Sequence, residues 1–213
     1  MEYSVVIVAA GSGTRMGLGY NKVYMTLKDG RTVLETTVSV FEADPDCREI
    51  IIVTDSDAWL ERNSEKMNGR ITLVSGGSTR QESVFNGLQA VITDTVMIHD
   101  GARPYLNHDC LQRLKETMET AEAALLCVPC KDTVKYITDG VIGGTYPRQT
   151  LCAAQTPQAF RTELILSCMK QAIKEGFTGT DDCSLAERYS DAVIIPVEGS
   201  YANIKITTPE DIR

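Results

Sequence analysis

Histidine is nearly absent from this 213-residue chain, which has only His99 and His108. A Ser-His-Asp hydrolase or a His-rich metal site has little to work with, so acyl transfer and zinc chemistry recede. A surplus of positive charge is missing too: 21 Lys and Arg against 29 Asp and Glu leave a formal net charge of −8. That balance argues against a nucleic-acid surface, which needs a basic face. No apolar stretch approaches membrane-spanning length and no signal peptide is evident. Neither a membrane nor a nucleic acid is therefore expected as a partner, and the chain is expected in the cytoplasm. Seven cysteines, odd in number and scattered, make no disulfide framework and are expected to be reduced. Cys127 and Cys130 have redox or zinc-ligand spacing, but without a second pair at a finger-like distance they read as small core residues.

What is present is a sequence able to bury a core. Hydrophobic residues make up 43% of the chain, and a single domain over residues 1–213 is expected. Apolar runs at Val5 to Val8, Ile50 to Val53, Ile71 to Val74, Val96 to His99 and Ala123 to Val128 read as strands buried on both faces. Helical patterns separate them. One helix is expected from about Thr79, with Ser78 and Gln81 in capping-box spacing and Val84, Leu88 and Val91 on one face. A second follows Asn107 with Leu111, Leu114, Met118 and Ala121 at core spacing. A third starts near Thr162, buries Leu164, Ile165, Cys168 and Ile173, and stops at Gly176. Strands alternating with helices imply an α/β fold with a doubly wound, mainly parallel sheet, whose ligands sit beyond the carboxyl ends of the strands. One insertion breaks the alternation. Thr133-Val-Lys-Tyr-Ile-Thr138, Asp139-Gly140 and Val141-Ile142 read as a tight β-hairpin, an arm at about 131–150 that covers the site or reaches a neighbouring subunit. At the other end, Thr208-Pro-Glu-Asp211 has the pattern of a helix start, so a C-terminal helix is expected to be cut short.

Chemistry concentrates where the first strand empties into Ala9-Ala-Gly-Ser-Gly-Thr-Arg-Met-Gly17 and then Asn21-Lys22. Glycines let the backbone approach an anion, and a helix start aims unpaired N–H groups at it. Arg15 and Lys22 add full charges. The P-loop is excluded because Gly17 is followed by Leu18, and the dinucleotide fingerprint because Met16 stands where its third glycine belongs. The turn fits a phosphate loop of another kind, with a plain strand-to-helix connector as the alternative.

Further candidates fall at other element ends. Gly76-Gly-Ser-Thr-Arg-Gln-Glu-Ser83 puts Arg80 and Ser83 in a first helical turn, suited to a phosphate or a base edge, or else simply a capped helix. His99-Asp-Gly-Ala-Arg-Pro104 sets Asp100, a possible Mg²⁺ ligand, and Arg103, a phosphate partner, just past a strand, with an internal ion pair as the alternative. Lys131-Asp-Thr133, Tyr146-Pro-Arg148, Gln155-Thr-Pro-Gln158, Thr180-Asp-Asp182 and Asn203-Ile-Lys-Ile-Thr207 each admit a structural reading, such as Thr180 capping a helix over 181–189. Together they place cations and hydroxyls at element ends repeatedly, as a two-anion site requires.

In that order, AAGSGTRMG with Lys22, GGSTRQESV, HDGARP, KDTVK, QTPQAF, TDD and NIKITTPEDI strongly resemble the 2-C-methyl-D-erythritol 4-phosphate cytidylyltransferase family over essentially the whole chain. The resemblance implies a Rossmann-like nucleotidyltransferase that joins CTP and methylerythritol phosphate, with Mg²⁺, to give a CDP-linked product and pyrophosphate in non-mevalonate isoprenoid synthesis. By motif, Arg15, Lys22 and Lys205 resemble the catalytic cations and Asp100 the metal-binding acid. Ala10, Gly11, Ser12, Gly13, Gly77, Arg80 and Ser83 resemble the part that holds CTP. Arg103, Thr156 and Thr180 resemble contacts to the polyol phosphate, and Thr133 and Arg148 resemble a pair delivered by the arm of a second subunit, implying a homodimer. The chain departs from the family at Asn21, where proline usually precedes the loop lysine. The sister family, ribitol-5-phosphate cytidylyltransferase, shares most signatures, but the AAG opening and the Asp-Thr-Val-Lys segment look more like the isoprenoid enzyme. A catalytically silent nucleotide-binding homologue is disfavoured by the joint presence of Arg15, Lys22, Asp100 and Lys205.

Overall fold

Tyr3–Val8 forms β1, with Val5 and Ile7 turned to one face and Val6 to the other. In the computed structural model, which describes residues 1–11, 21–55, 57–66, 69–208 and 211, this strand lies near the middle of a seven-stranded sheet. The other strands are β2 (Cys47–Val53), β3 (Ile71–Val74), β4 (Thr95–Asp100), β5 (Ala123–Pro129), β8 (Cys152–Arg161) and β9 (Ile194–Glu198), in the order β3-β2-β1-β4-β8-β5-β9. β1 pairs in parallel with β2 and β4, β2 with β3, and β5 with β9; only β8 runs antiparallel, against both β4 and β5.

Helices cover both faces. α1 (Val33–Glu42), α2 (Ala58–Asn63) and α4 (His108–Met118) pack Leu34, Trp59 and Leu111 against one side. On the other, α3 (Arg80–Leu88), α5 (Thr162–Glu175) and α6 (Cys183–Tyr189) pack Val84, Ile165 and Leu185. The expected doubly wound, mainly parallel sheet is present. The hairpin is there as well: β6 (Lys135–Thr138) and β7 (Val141–Thr145) form a separate two-stranded sheet. Both turn residues, Asp139 and Gly140, have positive φ, which suits this tight turn. No helix among the described residues is long and apolar enough to cross a membrane.

Several local readings are corrected. α3 is capped by Thr79, whose hydroxyl accepts from the Glu82 N–H, while the Ser78 N–H donates to the Glu82 carboxylate; Ser78 and Gln81 form no box. Val91 falls beyond the end of that helix. Ile173, assigned to the core, is exposed, and Leu164 is only partly buried. α6 starts at Cys183 with Asp182 as its cap residue, so Thr180 does not cap it. The caps at Asn107 and Gly176 are as expected, the latter with φ of 66°. All seven cysteines are free, and Cys127 is buried beside the Cys152 thiol rather than paired with Cys130.

Candidate active site

Asp100 ends β4, and the fold surrounds its carboxylate with cations from three directions. Lys205 Nζ stands 3.0 Å from Oδ2, Arg103 Nε 3.4 Å from Oδ2 and Arg80 Nε 3.6 Å from Oδ1. Burial alone pushes the Asp100 carboxyl up, but the Lys205, Arg80 and Arg103 charges outweigh it and hold the group well below the usual carboxylate range. Asp100 is thus ionised at any working pH.

Each cation reaches this point for a structural reason. Arg80 opens α3, and its guanidinium makes a two-pronged contact with the buried Asp182 carboxylate, at 3.1 and 2.7 Å. Burial raises the Asp182 carboxyl despite that pairing. Arg103 follows β4 and donates to the Asn203 carbonyl at 2.8 Å, while Asn203 Nδ2 donates to the Thr156 carbonyl at 2.9 Å. Gln155 Nε2 donates to the Ser200 carbonyl at 2.8 Å, and the Ile206 N–H donates to the Ala102 carbonyl at 2.9 Å. These bonds pin the segment carrying Lys205 across β8 onto the end of β4.

The result is a cleft of ≈ 180 Å³ that brings together six of the expected residues, Arg80, Asp100, Arg103, Thr156, Thr180 and Lys205. Thr180 stands exposed at its edge, in a loop anchored by Gln81, whose side chain accepts from the Gly179 N–H and donates to the Phe177 carbonyl. Gln158, which also lines the cleft, ties down the same loop by donating to Asp181 and accepting from the Cys183 N–H. Thr156 is buried beneath, its hydroxyl accepting from the Asp100 N–H at 3.0 Å and lying 3.1 Å from His99 Nδ1. His99 is fully buried, which lowers its pKa to about 4.

The loop after β1 starts beside Asp100, which pairs with Val8, though its described residues are not among the cleft lining. Asn21 caps a 3-10 turn at Lys22–Tyr24 with its side-chain oxygen and donates from Nδ2 to the Ala9 carbonyl, so Lys22 is tied to the end of β1. The departure from proline thus comes with a tether that proline cannot make, at a φ of −68° that proline would share. Ala10 and Gly11 follow β1, and Gly76 is packed so close that a Cβ there would sit 2.4 Å from Ala10 Cβ. Gly77 donates its N–H to the Ser83 hydroxyl, which in turn donates to the Thr79 carbonyl. Ser12, Gly13 and Arg15 lie outside the described residues. Thr133 and Arg148 sit exposed at the hairpin, away from the cleft lining, with Arg148 donating to the Lys131 carbonyl.

Among the described residues no three His, Cys, Asp or Glu side chains cluster as a protein-built metal cage. Asp100, at a strand end, shares the cleft lining with Asp181, which suits an ion such as Mg²⁺ that takes one or two carboxylates and completes its shell from phosphates and water. Sequence reasoning passed over the amides and acids that hold the site, namely Gln155, Gln158, Asp182 and Asn203. They stood inside quoted segments, but nothing in their spacing marks them as supports.

Comparisons agree with this geometry. Residues 3–213 match the family model described as IspD, 2-C-methyl-D-erythritol 4-phosphate cytidylyltransferase. The protein of that name from Bacillus velezensis is 44% identical over 220 residues, covering 100% of this chain and 93% of its own length. That from Halalkalibacterium halodurans is 44% identical over 217 residues, covering 100% and 94%. Among solved structures, 4-diphosphocytidyl-2C-methyl-D-erythritol synthase from Anaerococcus prevotii is similar with a TM-score of 0.87 at 34% identity, over 99% of this chain and 94% of that one. The Francisella tularensis 2-C-methyl-D-erythritol 4-phosphate cytidylyltransferase follows with a TM-score of 0.86 at 30% identity, over 100% and 97%. The chain belongs to the 2-C-methyl-D-erythritol 4-phosphate cytidylyltransferase family.

Proposed function

We infer that the chain transfers the cytidylyl group of CTP to 2-C-methyl-D-erythritol 4-phosphate, giving CDP-methylerythritol and pyrophosphate in the non-mevalonate route to isoprenoid precursors. The observation that carries the site assignment is the cleft in which Asp100 is ringed by Lys205, Arg80 and Arg103. A phosphate oxygen of the polyol substrate attacks the α-phosphorus of CTP, and the bond from that phosphorus to the oxygen bridging it to the β-phosphate breaks. No covalent bond to the protein is needed. The protein has to align the two anions and place positive charge where negative charge accumulates.

Lys205, Lys22 and Arg15 supply that charge in this reading. Ala10 to Gly13 with Gly77, Arg80 and Ser83 hold the nucleotide, and Arg103, Thr156 and Thr180 hold the polyol phosphate. Mg²⁺ would be held by Asp100 together with phosphate oxygens, and its chemistry is to neutralise and orient the triphosphate. The cations now paired with Asp100 are those that incoming phosphates engage. The hairpin supplies Thr133 and Arg148 to a second copy of the chain, supported by the exposed apolar side chains Ile137, Val141 and Ile142 on a ribbon outside the main sheet. A homodimer follows from that reading, and the cytoplasm is its proposed location.

Pyrophosphate release from CTP and Mg²⁺, with methylerythritol 4-phosphate and ribitol 5-phosphate compared in parallel, tests it. Release with the first alone is expected. Release with ribitol phosphate alone moves the chain to the sister reaction, and silence with both removes the catalytic reading.

A further inference from the structure

The turn Ser200-Tyr-Ala-Asn203 joins β9 to the segment carrying Lys205, and it is held firmly on the cleft side. The Asn203 N–H closes it on the Ser200 carbonyl at 2.9 Å, and the Ala202 N–H donates to the Ser200 hydroxyl at 3.1 Å. Gln155 grips both backbone groups of Ser200, accepting from its N–H at 3.3 Å and donating to its carbonyl at 2.8 Å. From this fixed base one side chain extends the other way, toward the arm. Tyr201 is 45% exposed, yet both of its parts are engaged. Its hydroxyl donates to the Pro129 carbonyl at 2.6 Å, and Lys131 Nζ lies 3.6 Å from the centre of its ring. Pro129 ends β5, and Lys131 leads from there into the hairpin. The Lys131 carbonyl in turn takes one of the five N–H groups of the Arg148 guanidinium, at 2.6 Å. A line of contacts therefore runs from the Lys205 turn through Tyr201 and Lys131 to Arg148.

We propose that Tyr201 is a positioning residue for Arg148: it braces the root of the arm against the body of its own chain, so that Arg148 reaches the polyol-phosphate site of the second copy already aligned. The hairpin is a separate two-stranded sheet, so its direction is set at its root. Between Pro129 and Lys135 that root has no strand or helix of its own to stiffen it. A brace that holds Lys131 before the substrate arrives reduces the ordering that binding has to supply. Because Arg148 serves the neighbour, a defect at Tyr201 should surface in the neighbour's site and not in its own, although Tyr201 is close in sequence to Lys205. The proposal rests on the arm reading above and adds what holds Arg148 in place.

The first part of the test is kinetic. Tyr201→Phe keeps the ring beneath Lys131 and loses the hydroxyl, and it is expected to raise KM for the polyol phosphate ~3-fold; Tyr201→Leu loses both contacts and should reach ~10-fold. KM for CTP and kcat should stay at wild type, and Tyr201→Leu combined with Arg148→Ala should be no worse than the worse single. Additive losses in that double variant overturn the proposal. Wild-type KM in both Tyr201 variants, beside a raised KM in Arg148→Ala, overturns the proposal alone. Wild-type KM in Arg148→Ala ends the arm reading and the proposal with it. The second part locates the effect in mixed dimers, pairing a chain weakened in its cleft by Lys205→Ala with a chain weakened in its arm by Arg148→Ala. Tyr201→Leu added to the Lys205→Ala chain is expected to diminish the activity gained by mixing at low polyol phosphate, because that chain delivers the working arm. Added to the Arg148→Ala chain, it should leave the gain unchanged. The reverse pattern, an equal loss in both mixtures or no loss in either overturns the proposal. If Tyr201→Leu fails to fold or to dimerise, Tyr201→Phe carries both parts of the test.

Discussion

Lys205 Nζ lies 3.0 Å from Asp100 Oδ2, although the two residues come from segments 105 positions apart in the chain. Their meeting depends on the segment after β9 folding back over β8, held by the Ile206 N–H on the Ala102 carbonyl. Lys205 is about a third exposed, so it can turn from the carboxylate to an incoming phosphate. Lys205→Ala is expected to lower kcat by ~10²–10³, the size of a lost charge contact in a transition state. Its circular dichroism and thermal midpoint should stay close to wild type. Near-normal turnover in the folded variant would remove Lys205 from the catalytic assignment.

Much of this arrangement is legible in the sequence where a residue's own chemistry decides its place. Val5 to Val8, Ile50 to Val53 and Val96 to His99 are apolar runs, and buried parallel strands need little else. β8 could not be read that way. Gln155, Thr156 and Gln158 are polar yet buried, because partners from distant segments satisfy them: Ser200 and Asn203 for Gln155, His99 and Asp100 for Thr156, Asp181 and Cys183 for Gln158. Such partners are invisible to local pattern. The same holds for Asp182, which reads as one of two adjacent acids and turns out to anchor Arg80 from 102 positions away. Thr79 prevailed over Ser78 as the cap of α3 because either hydroxyl suits the role, and the Glu82 carboxylate took Ser78.

The Asp182–Arg80 pair carries a stability prediction. The Asp182 side chain is 2% exposed, and its removal leaves a guanidinium with its principal partner gone. Asp182→Ala is expected to cost about 3 kcal/mol in urea unfolding, in the range for breaking a buried pair. Arg80 also loses its anchor, so KM for CTP should rise. A variant as stable as wild type would show that water or Asp100 replaces the lost partner at no cost.

Glu35 gives a pH dependence with a definite sign. Its carboxylate closes the capping box of α1 with the Thr32 N–H and accepts from Arg62 and Asn63. Burial alone would raise its pKa, but these donors win and bring it from 4.5 down to about 2. A carboxyl depressed in the folded state stabilises above its unfolded pKa and loses that contribution as pH falls through the folded one. The loss attributable to Glu35 therefore belongs between pH 4.5 and 2. Glu35→Gln should be less stable than wild type at pH 7, on the order of 1 kcal/mol because Arg62 is half exposed. The two unfolding free energies should converge toward pH 2. Parallel curves across that window would assign the acid sensitivity to other carboxylates.

The arm is tested by complementation. Arg148 sits at the hairpin, outside the cleft lining. If a second copy receives it, Arg148→Ala should raise KM for the polyol phosphate and leave CTP handling unchanged, while Lys205→Ala lowers turnover through the cleft itself. Mixing the two variants, the second retaining only the ~10²–10³-fold lowered turnover expected above, then forms hybrid dimers in which the Arg148→Ala subunit keeps an intact cleft and receives an intact arm from its neighbour. Activity at low polyol-phosphate concentration should exceed the sum of the separate samples. Glutamate at both Ile137 and Ile142, which are 70% and 63% exposed on the ribbon, should shift the protein to monomer in sedimentation and remove the gain. A gain that survives monomerisation, or no gain from a mixture shown to exchange subunits, would confine Arg148 to its own chain and end the role of the arm in a neighbouring site.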